Sequence, residues 1–253
     1  MKKIPELFSS EPLSVDIPDS WSKLSFRQFK MICNLFSAEL FASSFDTILF
    51  MRLAGIKFLD YSDDGSVILM YQKNAYVVSR DIGGVALEAV EWVHNIADIS
   101  QLAAFMPQVH RSAVDLRFND ISYGKFIAAD NVYTGYLATQ RTDLIDKLVS
   151  CLWPRMRKIK PWHRMAAVIW FSSLKQWLVS CYPDLFAAPD PNDLFSSNTV
   201  SPAAVKESMN AQIRALTKGD ITLEQRVLEA PLHRALTELN QLAKEYKEFN
   251  SHK

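Results

Sequence analysis

Between Ile121 and Trp153 apolar residues recur at helical spacing in two consecutive runs with start and stop signals, and this stretch constrains the fold more than any other. Ser122 is placed to cap the first helix, and Ile121 outside it can staple onto Phe126 inside. Tyr123, Phe126, Ile127, Asp130, Tyr133 and Leu137 then follow at steps of three and four, a broad packing face with one acidic member. Thr142 is placed to cap a second helix, in which Leu144, Ile145, Leu148, Val149 and Leu152 repeat the pattern until Pro154 stops it. The most apolar run, Trp162 to Tyr182, presents Met165, Ala166, Ile169, Trp170, Leu174 and Leu178 on one wide face, shared with Ser173, Trp177 and Cys181. It is predicted in the middle of the core.

Ahead of these helices, residues 1–20 hold Pro5, Pro12 and Pro18 among serines and acids, which predicts an extended N-terminal arm. Ser25 with Gln28 forms a capping box, and Leu24 can staple to Phe29, so a helix begins there with Phe29, Ile32, Cys33 and Phe36 facing inward. A second helix is expected over 45–54, capped by Ser43 or Ser44 and ended by Gly55 in a left-handed conformation. The period then changes. Val67 to Tyr71 and Tyr76 to Val78, around Gln72-Lys73-Asn74-Ala75, read as a β-hairpin that must lean on helices. Asp81 reopens a helix carrying Ala86, Ala89, Val90, Val93 and Ile96, and Pro107 breaks residues 98–118 into short helix and loop.

From Pro183 to Pro202 the composition shifts to Pro, Asp, Asn and Ser, which predicts a linker between a helical domain over 21–182 and a C-terminal helical arm over 203–250. In the arm Val205, Met209, Ile213 and Leu216 make one stripe, closed by Gly219-Asp220. Thr222 with Gln225 predicts a further capping box. Leu228, Leu232, Ala235, Leu239, Leu242, Tyr246 and Phe249 then alternate steps of four and three, a narrow seam of the kind that receives a partner. Pro231 either begins a new helix or kinks a longer one. The fold class expected is mainly α: a multi-helix domain with one small β-hairpin near 67–78, plus this arm.

The 28 basic residues balance the 28 acidic ones, so no global field recruits nucleic acid or an anionic membrane, and only 7 glycines argue against Gly-rich phosphate cradles. Cys33, Cys151 and Cys181 are odd in number and lie in apolar helical patterns, which predicts buried thiols in a reducing compartment. Lys175 interrupts the longest apolar segment and Pro5 and Glu6 follow Lys3 at the N-terminus, so neither a membrane helix nor a signal peptide is expected and the cytoplasm is. His163 with Cys151 and Cys181 matches no zinc spacing, and no nucleophile or phosphate-loop motif occurs, so no catalytic residue, metal or cofactor is assigned and the chain is not read as an enzyme. Two surfaces remain. The arm's seam, Leu228, Leu232, Leu239, Leu242, Tyr246 and Phe249, is a candidate for binding a partner or another copy. The basic connector, Arg155, Arg157, Lys158 and Lys160 followed by Trp162 and Arg164, could hold phosphates with Trp162 stacking on a base, although a solvated loop with its tryptophan turned into the core is favoured.

Two blocks carry a resemblance. The first is Ile17-Pro18-Asp19-Ser20-Trp21 with Leu24-Ser25 and the helix after it, followed by Phe126-Ile127-Ala128-Ala129-Asp130, Tyr136-Leu137 and Leu144 to Leu152. The second is Arg214-Ala215-Leu216-Thr217-Lys218-Gly219-Asp220-Ile221-Thr222 with Val227-Leu228 and Arg234-Ala235-Leu236-Thr237-Glu238-Leu239. Together they resemble a family encoded in tail-gene regions of phages and prophages of Bacteroidetes. The resemblance implies a morphogenesis protein of the bacterial host cytoplasm or the virion, with tail proteins or itself as partners and no small-molecule substrate. A tail-assembly chaperone that holds the tape-measure protein is the leading form. A structural tail or connector subunit and a nucleic-acid-binding module using residues 155–164 are the alternatives.

Overall fold

The computed structural model describes residues 13–38, 42–63, 65–78, 82–186 and 202–251, so residues 1–12 of the expected N-terminal arm, Asp81 and residues 187–201 of the expected linker lie outside it. The chain is mainly α with a small antiparallel sheet, and it divides into two compact units, Met1–Ala97 and Asp98–Lys253. The division therefore falls at Ala97/Asp98 rather than in the proline-rich stretch, because the C-terminal arm packs within the second unit.

In the first unit, residues 13–19 form neither helix nor strand and lead into a short 3-10 turn, Trp21–Lys23. Helix α1, Phe26–Phe36, starts at the predicted capping box: the Ser25 N–H donates to Gln28 Oε1 at 2.9 Å and the Gln28 N–H donates back to Ser25 Oγ at 3.3 Å. Two otherwise orphaned donors are satisfied reciprocally, and Leu24 and Phe29 are buried on either side of the cap. Cys33 is buried as expected, and burial pushes its thiol far above the usual range. Trp21 stands edge-on to both Phe29 and Trp92, with ring centroids 6.3 and 5.5 Å apart. Helix α2, Ala42–Ala54, begins before the predicted residue 45, and Gly55 takes the left-handed φ of +71° as its stop.

The predicted hairpin is part of a three-stranded sheet, β1 Lys57–Tyr61, β2 Val67–Tyr71 and β3 Asn74–Val78, in the order β1-β2-β3. Its turn is tighter than expected. Only Gln72 and Lys73 lie between β2 and β3, both with positive φ, 46° and 75°, as a two-residue turn matched to strand twist demands. Strand β1 escapes a sequence reading because a bulge at Leu59 breaks its alternation: Phe58 pairs with Leu69 and Tyr61 with Val67, so two aromatics three residues apart share one face. Helix α3, Ile82–Val90, tightens into a 3-10 turn, Glu91–His94, and stops before Ile96, which is exposed, while Val93 is buried. His94 Nε2 meets Asp46 Oδ1 at 2.6 Å and ties that turn to α2.

The second unit opens with a 3-10 turn, Ile99–Leu102, and the single turn of α4, Met106–Val109, the short structure expected around Pro107. Helices α5, Tyr123–Thr139, and α6, Thr142–Leu152, are the predicted tandem. Ser122 Oγ accepts from the Lys125 N–H at 3.4 Å, as predicted for the first cap. The second cap differs: α6 begins on Thr142 itself, preceded by Arg141, whose guanidinium makes two bonds to Asp143 at 3.0 and 2.9 Å and holds that carboxyl below its usual range. Helix α7, Pro161–Cys181, lies at the centre of this unit, with Ala166, Trp170, Phe171 and Leu174 fully buried. Trp153, Phe118, Phe126 and Tyr133 surround its Trp170 and Phe171 in edge, tilted and stacked contacts, with ring centroids 5.0 to 6.5 Å apart.

Two sequence oddities explain each other. Asp130, the acid in the packing face of α5, lies 2.6 Å from Lys175, the lysine inside the apolar run of α7. Asp146 and Arg164 form a similar half-buried, two-bond pair at 2.7 and 2.9 Å between α6 and α7. Cys151 and Cys181 are exposed rather than buried, since Cys151 lies off the Leu148, Val149, Leu152 rows and Cys181 is the last residue of α7. Leu137, near the C-terminal end of α5, is likewise exposed.

Burial pushes the phenols of Tyr123 and Tyr133 upward, and the bond from Ser172 and the Lys175 cation offset this only in part for Tyr133. Because the folded state raises these values, the stabilisation is fully present below the unfolded tyrosine value of about 10 and is lost as pH rises through the folded values. The melting temperature is expected to fall above about pH 10, with these two phenols ionising only on unfolding. Absorbance titration showing all 8 tyrosines ionising together in a folded chain would contradict this.

Candidate protein-binding surface

The arm consists of α8, Pro202–Thr217, a 3-10 turn at Ile221–Leu223, α9, Glu224–Glu229, and α10, Leu232–Ser251. The predicted capping box does not form at Thr222; Asp220 instead caps the 3-10 turn, its Oδ1 accepting from the Thr222 N–H at 2.9 Å and from the Thr222 hydroxyl at 2.7 Å, and these bonds hold the carboxyl below its usual range. Pro231 begins a fresh helix. At that break the arm makes a two-way backbone bridge to the start of α5: the Tyr123 N–H donates to Ala230 O at 2.8 Å, and the Leu232 N–H donates to Ile121 O at 3.0 Å. Each is the first N–H of its helix, a group with no partner inside the helix.

Side chains extend the docking. A Cβ on Gly124 would stand 3.0 Å from Leu228 O and 3.2 Å from Leu228 Cβ, so glycine lets α9 approach α5. Tyr123 donates its hydroxyl to Gln212 of α8 at 2.7 Å. His233 is held at both nitrogens, Nε2 to Arg117 O and Nδ1 to the Tyr182 hydroxyl, each at 2.8 Å. A carbonyl only accepts, so Nε2 carries the hydrogen and Nδ1 accepts from Tyr182. Asn240 Oδ1 accepts from the Asp184 and Leu185 N–H groups at 2.9 and 3.0 Å, which fixes the chain leaving α7 against α10.

The expected binding seam is therefore split. Leu232 and Leu239 are buried with Ala235 and Leu236 in the unit's own core, a correction to their assignment as partner-binding residues; the reading missed Leu236, which lies just off the seam of fours and threes. Leu228 and Leu242 are half-buried. Beyond them residues 244–250 are all exposed, and Tyr246 and Phe249 keep 70% and 63% of their surface in water. The outward end of α10 is a two-turn stretch with two large aromatics on one face, flanked by charge.

The basic connector is arranged differently from the phosphate-holding possibility. Arg155, Arg157, Lys158 and Lys160 are exposed, but Trp162 is 7% exposed and turned inward in the first turn of α7, and Arg164 is engaged by Asp146. His163 is also buried, and its Nδ1 accepts from the Lys160 N–H at 3.0 Å. What remains is a loop of four cations without a stacking ring from Trp162. Among the described residues no three His, Cys, Asp or Glu side chains gather as a metal site, and no helix is long and apolar enough to cross a membrane.

Sequence reasoning also missed two other features. Phe58 and Tyr61 form an exposed edge-on pair, 5.1 Å between centroids, on the first unit's sheet, where the bulge removes the period that would have revealed them. An open cleft of about 330 Å³ is lined by Ile213, Arg214, Thr217, Ile221 and Glu224, in which Ile221 is 82% exposed. Comparison with known proteins finds no matching family model, no matching curated protein and no matching solved structure.

Because Leu232 and Leu239 are interior, Leu232→Asp with Leu239→Asp is expected to destabilise the second unit by several kcal/mol, as an unpaired buried charge does. Gly124→Val is expected to cost about 1–3 kcal/mol by overpacking against Leu228. Chemical denaturation measures both; an unchanged midpoint for the double aspartate variant would mean that the arm is not docked as described.

Proposed function

We propose that this chain is a non-enzymatic protein of phage or prophage tail assembly, acting in the bacterial host cytoplasm as a chaperone that holds the tape-measure protein until the tail tube polymerises around it. The resemblance of its two sequence blocks to a tail-gene family supplies the setting. The observation that carries the binding role is the solvent-facing end of α10, where Tyr246 and Phe249 continue a seam whose first half is already buried. Large aromatics exposed on one face of a terminal helix suit a helical client laid along that face, since Tyr and Phe contribute much contact area with few rotatable bonds.

The test is co-expression with the tape-measure protein, followed by capture on the tagged chain. Wild-type protein is expected to retain the client. Tyr246→Ser with Phe249→Ser is expected to lower capture by about tenfold, equivalent to about 1.4 kcal/mol, with an unchanged melting temperature because neither ring is in the core. Equal capture by both proteins contradicts the reading. Stoichiometric recovery of the chain from purified tails, with no complex before assembly, would instead make it a structural tail subunit.

A further inference from the structure

We propose that two copies of this chain associate through the open edge of strand β1, pairing antiparallel about a two-fold axis at Phe58. The contact is separate from the end of α10 and does not depend on the tail-assembly reading. Strand β1 is an outer strand of the sheet, and Lys57, Phe58, Asp60 and Tyr61 are all exposed on it. The two-residue turn at Gln72-Lys73 makes Tyr71 and Asn74 a hydrogen-bonded pair, and the bonds of an antiparallel ladder alternate, so Leu69 and Val67 direct their backbone groups to β3. Phe58 and Tyr61, the residues opposite them, therefore turn their own N–H and carbonyl groups away from β2, to the edge. The Tyr61 N–H is taken there by Asp60 Oδ1 at 2.8 Å, which leaves Phe58 as the residue that offers both groups. Among the described residues, none outside the sheet bonds the Phe58 backbone.

An unpaired edge is a template for another strand, and a bulge is one device that discourages such pairing. Here the bulge at Leu59 also makes the strand complementary to itself, because it puts Phe58 and Tyr61 on one face and Lys57 and Asp60 on the other. With Phe58 opposite Phe58 of the second copy, two N–H···O bonds join the strands, and each Lys57 stands across from Asp60 of its mate. Lys57 and Asp60 are the only charged residues of β1, and neither has an ion pair among the described residues. Asp63 lies past Tyr61, outside the paired stretch. The alternative register, with Phe58 opposite Tyr61, sets Asp60 against Asp60 and meets an N–H that Asp60 already holds, so like charge and a missing donor both oppose it. The other outer strand, β3, carries no charge that could fix a register.

The experiment is sedimentation velocity on the full chain over a concentration series. Few residues pair, so a transient dimer with a micromolar Kd is expected. Lys57→Glu alone and Asp60→Lys alone each set like charges opposite one another, and each is expected to weaken dimerisation about tenfold at an unchanged melting temperature. An equimolar mixture of these two variants is expected to regain the wild-type association, because in the mixed pair both cross-strand positions again join opposite charges. A wild-type chain that stays monomeric at sub-millimolar concentration overturns the proposal, and the edge then belongs to another segment of the chain or to a different protein. A dimer that both single variants retain, or a mixture no more associated than its components, overturns it as well. So does a dimer lost in Tyr246→Ser with Phe249→Ser, since the two copies then meet through α10.

Discussion

Two helices, α5 and α10, begin beside each other, and their first N–H groups are satisfied by each other's preceding carbonyls: Tyr123 by Ala230, Leu232 by Ile121. This is the interaction on which the second unit depends. Helix N-termini carry orphaned donors and partial positive charge, so bringing two together would ordinarily bury unsatisfied groups and oppose two like dipole ends. The exchange of carbonyls satisfies one donor on each side and places a negative oxygen at each end. Pro231, in the middle of the crossing, has no N–H to leave unsatisfied. Gly124, one residue into α5, admits the Leu228 backbone that the crossing brings near.

The split of the arm follows from that bridge. Once α10 starts at Leu232 against Ile121, its first turns are committed to the unit's interior, and Leu232, Leu236 and Leu239 join a core built on α7. A helix of 20 residues, at about 1.5 Å per residue, outruns the surface that receives it. Asn240 and His233 mark the docked portion with bonds to the chain after α7 and to the turn at Arg117. Past Ala243 the same sequence periodicity faces water. One seam therefore serves stability in its first half and stays largely exposed in its second.

Much of the fold was legible because it rests on local signals: the Ser25–Gln28 box, the Ser122 cap, the Gly55 stop and the periodicities of α5, α6 and α7 all have the predicted role. Features set by another part of the chain were not. Strand β1 hides behind a bulge, and the Gln72-Lys73 turn carries neither glycine nor asparagine at its left-handed positions. The arm's seam is the instructive case, since the spacing of Leu232, Leu239, Tyr246 and Phe249 is uniform while their surroundings are not. Periodicity identifies a face, but what covers it depends on a backbone exchange with residues more than a hundred positions earlier. Trp162 is the converse case: beside four cations it could have been a stacking ring, but the favoured reading turns it inward, and as the second residue of α7 it is buried.

Hydrogen exchange at the bridge amides tests this account most directly. If α5 and α10 hold each other by exchanged carbonyls, the Tyr123 and Leu232 amides open only when the unit itself unfolds, and their protection matches that of core amides in α7 such as Leu174. Fast exchange at Leu232 while Tyr123 stays protected would mean that α10 docks without the bridge, and fast exchange at both would mean that the arm is not held at all.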